Sequence, residues 1–173
     1  MQTYYQLLFQ EEDALGVAHA PTPTQGLILP SLGLVESWKP LQFWLKDGKY
    51  PDYLANDLGY RLCSERLRGI LDRYASPIDL LQWLEAEIRS TTDSRKYYIL
   101  HFPNSPNVLD PNRTIVAGNF VVKAVLSKCA VDGHHVFGYP NCGQLPLFVS
   151  DDVRQAIKKE KCIGIHIAGV PME

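Results

Sequence analysis

Cys129, His134, His135 and Cys142 are the tightest gathering of metal-binding side-chain types in the chain. All four are zinc ligands by type. Their spacing, however, has neither a close cysteine pair nor two histidines a few residues apart, which zinc sites usually show. The expectation is therefore no metal, with two thiols packed inside and a polar hairpin tip at 134–135. A Ser–His–acid set can be drawn several ways from five histidines. His101 and His166 fall in expected strands, where bonding to a backbone carbonyl is the ordinary role. Asp52 after Pro51 and Asp110 before Pro111 read as turn residues that bond local amides. The carboxylate pairs are Glu11/Glu12, Asp151/Asp152 and Glu85/Glu87. They read as a loop, a helix start and a solvated strand face. No GxxxxGK[ST], GxGxxG, HExxH or GxSxG pattern occurs. No catalytic residue and no cofactor is expected. The alternative is a small hydrolase or transferase using a histidine of the 134–135 hairpin or His101.

The elements that must position these residues begin with two similar segments. Leu62-Cys63-Ser64-Glu65-Arg66-Leu67-Arg68 is followed by Ile70-Leu71; Phe148-Val149-Ser150-Asp151-Asp152-Val153-Arg154 is followed by Ala156-Ile157. Each Ser can accept a hydrogen bond from a free first-turn N–H, and the acid behind it suits the positive helix end. Apolar residues then recur on one helical face, and Lys158, Lys159 and Lys161 crowd the end of the second helix, where cations belong. Arg68 and Arg154 are expected either in solvent or tied to acids such as Asp52 or Asp110.

Strands are expected at 4–9, 27–30, 41–45 and 96–102, with a long one at 120–130. Asp132-Gly133 signals a hairpin from that strand into 134–139. Short strands follow at 145–149 and 163–167. Residues 79–89 fit either a helical face through Ile78, Leu81, Leu84 and Ile88 or an alternating strand through Leu80, Gln82, Leu84, Ala86 and Ile88. Strands that run consecutively favour antiparallel pairing. The expected class is α+β: a mostly antiparallel mixed sheet of about seven strands with two or three helices. One domain is expected over 1–173, with 1–40 partly irregular, because 173 residues suffice for one core and not for two comfortable ones.

A net charge of −2 argues against a general nucleic-acid binder. No stretch approaches the roughly 20 apolar residues of a membrane span, and no secretory leader is visible. Four scattered cysteines without an export signal read as free thiols. The expected location is the cytoplasm. Three tryptophans and nine tyrosines form a heavy aromatic load, and such residues often anchor protein interfaces.

Trp44, Pro51-Asp52-Tyr53, the first Ser segment, Lys96-Tyr97-Tyr98-Ile99-Leu100, Leu109-Asp110, Phe137 and the second Ser segment occur together in this order. In these residues, over roughly 40–168, the chain resembles bacterial immunity proteins of polymorphic toxin systems. The family is the one named after a Myxococcus immunity protein and formerly filed as a domain of unknown function. It often has a Ser a few residues beyond the Leu-Asp aspartate; here Thr114 stands nearest. The resemblance implies a non-enzymatic protein that binds and neutralises a cognate toxin, encoded nearby, in the cytosol. Glu11, Glu12 and Asp13 form the only local acidic run and are candidate toxin contacts. Trp38 and Trp83 are the aromatic candidates.

Overall fold

The computed structural model describes residues 2–22, 29–118, 120–139 and 146–173. In chain order these form β1 (Tyr4–Phe9), β2 (Ala18–His19), β3 (Leu41–Leu45), β4 (Tyr53–Leu54), β5 (Leu62–Cys63), α1 (Glu65–Tyr74), β6 (Gln82–Arg89) and β7 (Ser94–His101). They continue with β8 (Ile115–Ala117), β9 (Phe120–Lys123), α2 (Lys128–Val131), β10 (Val136–Phe137), β11 (Leu147–Ser150), α3 (Asp151–Lys159) and β12 (Ile165–Gly169). One sheet runs β10-β11-β1-β12, a second runs β2-β3-β6-β7-β5-β4, and β8 pairs with β9 alone. Every strand pairing is antiparallel except β3 with β6.

The two Ser-started helices pack against each other at the centre. Leu67, Ile70 and Leu71 of α1 share a core with Val153, Ala156 and Ile157 of α3. Fully burying side chains of this size stabilises by about 1.5–3 kcal/mol each. The strand period of two sorts the rest. In the four-stranded sheet, Leu7, Val136, Leu147 and Val149 face this core, while Tyr4, Phe137 and Phe148 face the opposite side. There Val108, Leu126 and Val131 cover them. In the six-stranded sheet, Cys63 and Leu100 join the helix core. Leu62, Leu84, Ala86, Ile88 and Ile99 face a third cluster with Phe43, Leu45, Trp38 and Val35.

The likeness of the two Ser segments is a structural repeat. Cys63 pairs with Tyr98 on β7, and Val149 pairs with Tyr5 on β1. Each helix arginine then lies over that tyrosine: Arg68 is 4.2 Å from the Tyr98 ring centre, and Arg154 is 4.7 Å from that of Tyr5. Each also meets an acid on its own helix, Asp72 and Asp151. The choice between solvent and Asp52 or Asp110 is thus settled differently: each arginine rests on a strand tyrosine and pairs with an acid of its own helix. The repeat is not complete. Ser64 Oγ accepts from Leu67 N at 3.2 Å, whereas Ser150 makes no side-chain cap.

The α+β class and its antiparallel bias match the reading of the sequence, with more strands than seven and three sheets in place of one. Two-residue strands carry no periodic signal, so pattern alone does not find them. Within the ambiguous 79–89 segment, Gln82–Arg89 is strand β6, because Leu84, Ala86 and Ile88 alternate inward. The long strand at 120–130 and its hairpin into 134–139 are corrected. β9 stops at Lys123, and residues 128–131 form helix α2 before the Asp132-Gly133 turn. Val125 and Leu126 are both buried there, and Leu126 packs with Tyr4 and Phe148. The expected strand at 27–30 falls partly outside the described residues, as do Leu145 and Cys142. The last strand starts at Ile165, two residues later than expected, since Gly164 has φ +80° and a Cβ there would meet Pro51.

Helix α3 closes on Lys161, the one non-glycine residue with positive φ (53°) among those described. Cys162 N–H bonds Ile157 O across it at 3.1 Å, the arrangement that favours glycine at this place. We expect Lys161→Gly to raise stability by about 0.5–1 kcal/mol, since only a side chain pays the left-handed strain. A denaturant midpoint shifted upward checks this.

Candidate functional site

Histidine chemistry is the first possibility to place. Asp79 enters from the turn before β6, and its side chain has no solvent exposure. One of its oxygens lies 2.7 Å from His134 Nδ1. The other accepts from Ser76 N (2.8 Å), His135 N (2.9 Å) and Val136 N (3.0 Å). His135 points elsewhere, with Nδ1 3.0 Å from Ser150 Oγ. A nucleophilic serine needs one imidazole between the hydroxyl and the acid. Here two adjacent rings each hold one of those partners, and Ser150 is fully buried. The cluster pins residues 134–136 to the turn at 76–79. Tyr4 adds to it, its hydroxyl donating to Val131 O (2.8 Å) and His134 O (3.0 Å). Burial, then the charges of Asp132 and Asp79, pushes the Tyr4 pKa up to about 12, so it stays a donor.

His101 Nε2 lies 2.7 Å from Gly33 O, the carbonyl role expected for a strand histidine, while His166 faces solvent. Cys129 is exposed on α2, which corrects the expectation of a packed thiol there. Among the described residues no three His, Cys, Asp or Glu side chains gather as metal ligands. Burial raises the Cys63 thiol strongly and lifts Cys162 to about 11, so both stay protonated rather than nucleophilic.

Asp52 is not a local turn residue. It is buried, and it joins three parts of the chain. Ser64 Oγ donates to it at 2.6 Å, Arg66 Nη2 at 2.6 Å, Arg66 Nε at 3.1 Å and Ile163 N at 2.8 Å. Burial alone would raise its carboxyl, but the bonds from Arg66, Ser64 and Ile163 outweigh that and hold it below the usual range. Glu160 is tied in beside it, accepting from Arg73 Nη1 at 3.0 Å. Asp110 keeps the local role expected of it, accepting from Asn112 N and Arg113 N.

The candidate contact residues do not converge. Glu11, Glu12 and Asp13 are exposed beyond β1, and Gln10 bonds Glu12. Trp38 donates its indole N–H to Glu85 O at 2.8 Å and packs on the outer cluster. Trp83 donates to Asp72 at 2.6 Å and flanks the helix core. Glu85 and Glu87 lie on one strand face, paired with Lys96 and Arg89.

A groove of about 480 Å³ lies between α3 and β12, beside Gln10. Ile157, Ile165 and Ile167 line it, with Lys158, Lys161 and His166. The sequence reading assigned these lysines only to the helix end. Nothing local marks β12 as an outer strand, so the groove leaves no sequence signal beyond the lysines themselves.

Among the described residues no helix is long and apolar enough to cross a membrane. No curated protein matches the chain. Residues 6–170 match the immunity protein family (Imm11), a span that takes in most of β1 as well as the segments where the resemblance was read. With nearly its whole length matched, the chain belongs to the Imm11 immunity protein family.

Proposed function

We propose that this chain protects its producer by binding a cognate toxin protein and blocking it through protein–protein contact, without catalysis. Family membership across residues 6–170 carries the reading. The internal polar clusters support it. Asp79 is taken by His134 and backbone N–H groups, His135 lies against Ser150, and Asp52 is taken by Ser64, Arg66 and Ile163, which leaves the histidine-based hydrolase or transferase without an open constellation. The toxin is encoded beside this chain, and the two meet in the cytoplasm. The exposed Glu11, Glu12 and Asp13 are candidate contacts to it, with Trp38 and Trp83 as separate aromatic candidates elsewhere on the chain.

The test is co-expression with the toxin domain of the adjacent reading frame. Restored growth and a co-purifying complex are expected. Continued killing with no complex, or protection that needs turnover of a small molecule, would refute the proposal.

A further inference from the structure

We infer that the groove between β12 and the end of α3 receives an extended acidic segment of the toxin, which adds to the sheet as a strand beside β12. This rests on the toxin-binding reading above and names where and how contact is made.

Three observations converge on it. First, β12 ends its sheet: β1 pairs with it on one side, and among the described residues no strand pairs with Ile165–Gly169 on the other. Gln10 N bonds Gly164 O and Val170 N bonds Tyr4 O at the two ends of the β1 pairing. Antiparallel alternation then turns the N–H and C=O groups of His166 and Ala168 toward β1. The N–H and C=O groups of Ile165, Ile167 and Gly169 point outward. Second, edges are commonly blunted by lysine, proline or a bulge. The sequence Ile165-His166-Ile167-Ala168-Gly169 has none of these, and its pairing with β1 is regular. Third, the adjoining groove has an apolar wall of Ile157, Ile165 and Ile167 under a cationic rim.

The rim sets the partner's charge. The acid amid the lysines, Glu160, is taken by Arg73. Among the described residues Lys158 and Lys161 have no carboxylate partner. An extended segment beside β12 would gain main-chain bonds from the edge and would send alternate side chains toward the isoleucines and lysines, the usual logic of strand addition. A second copy of the chain is a poorer occupant, because its own β12 carries no acid to meet the lysines.

The experiment uses the whole chain and the toxin domain encoded beside it. Hydrogen exchange at the amides of Ile165, Ile167 and Gly169 should be fast in the free chain and slow in the complex. Lys158→Glu should weaken binding about tenfold or more, mainly through slower association that high salt also produces. Lys161→Gly should weaken binding while the fold becomes more stable, a combination that a purely structural lysine would not give. Ile167→Pro removes an outward N–H without removing a bond to β1, and should also weaken binding. If the wild-type chain binds the toxin and these variants bind equally well, or if the β12 amides stay fast in the complex, the groove is wrong and the immunity reading stands. If the wild-type chain binds no toxin, both fall. Concentration-dependent protection of the same amides in the chain alone would assign the edge to self-pairing and overturn the proposal.

Discussion

Asp79→Ala will destabilise the fold by about 3–5 kcal/mol, one of the two largest single-residue effects expected in this chain. The carboxylate is fully enclosed and holds three backbone N–H groups as well as His134. Each donor left buried without an acceptor costs about 1–3 kcal/mol, and water can repair only part of that in so closed a place. The turn at 76–79 and residues 134–136 would come apart together, and Tyr4 would lose the His134 carbonyl it bonds. Urea unfolding measures the change: the midpoint should fall sharply with the slope nearly unchanged. Asp79→Asn keeps an oxygen acceptor and should lose about half as much. A loss under about 1 kcal/mol for the alanine variant would show that the cluster is dispensable to the fold.

The second large effect is at Asp52. Asp52→Asn should cost about 2–4 kcal/mol near neutral pH, because Arg66 and Ser64 would lose the charged acceptor they share. The loss depends on pH in a definite direction. The folded-state pKa of Asp52 lies below its unfolded value, which is near 3.9. Its contribution is therefore complete above the unfolded value and disappears as pH falls through the folded one. The wild-type chain should lose stability on acidification in that window, and the Asn variant should lose less. Parallel slopes for the two proteins between about pH 5 and pH 2 would show that Asp52 is not the linked group.

The two helices were legible because a serine at the N-cap position, an acid and a helical apolar face are all local signals, although only Ser64 makes the cap bond. The strand β7 was legible from its run of aromatic and aliphatic residues. What escaped depended on distance in the chain. Asp52 looked like a turn residue because its partners lie 12, 14 and 111 positions away. The 120–130 segment looked like a strand because Val125 and Leu126 are apolar, yet both are buried outside any strand, Leu126 in the cluster with Tyr4 and Phe148. Arg68 and Arg154 were recognised as equivalent, but the tyrosines beneath them belong to neighbouring strands that no spacing rule reveals. The family was readable from ordered short motifs. The groove was not, since being at the edge of a sheet is a property of topology alone.

The pairing of β1 also has a temporal consequence. Leu7 lies opposite Leu147 on one side and Ile167 on the other, so β1 has no strand partner until about 140 residues later. At about 5–20 residues per second, a ribosome would take roughly 7–28 s to supply it. During that lag Tyr4, Leu7 and Phe9 hang on an incomplete sheet, and both the helix core and the Tyr4 cluster lack a wall. Chains still in synthesis would thus be unprotective and prone to aggregate until β11 and β12 have been made. A producer exposed to a sudden dose of toxin would rely on molecules completed beforehand, so the size of the standing pool, more than the rate of new synthesis, would decide survival.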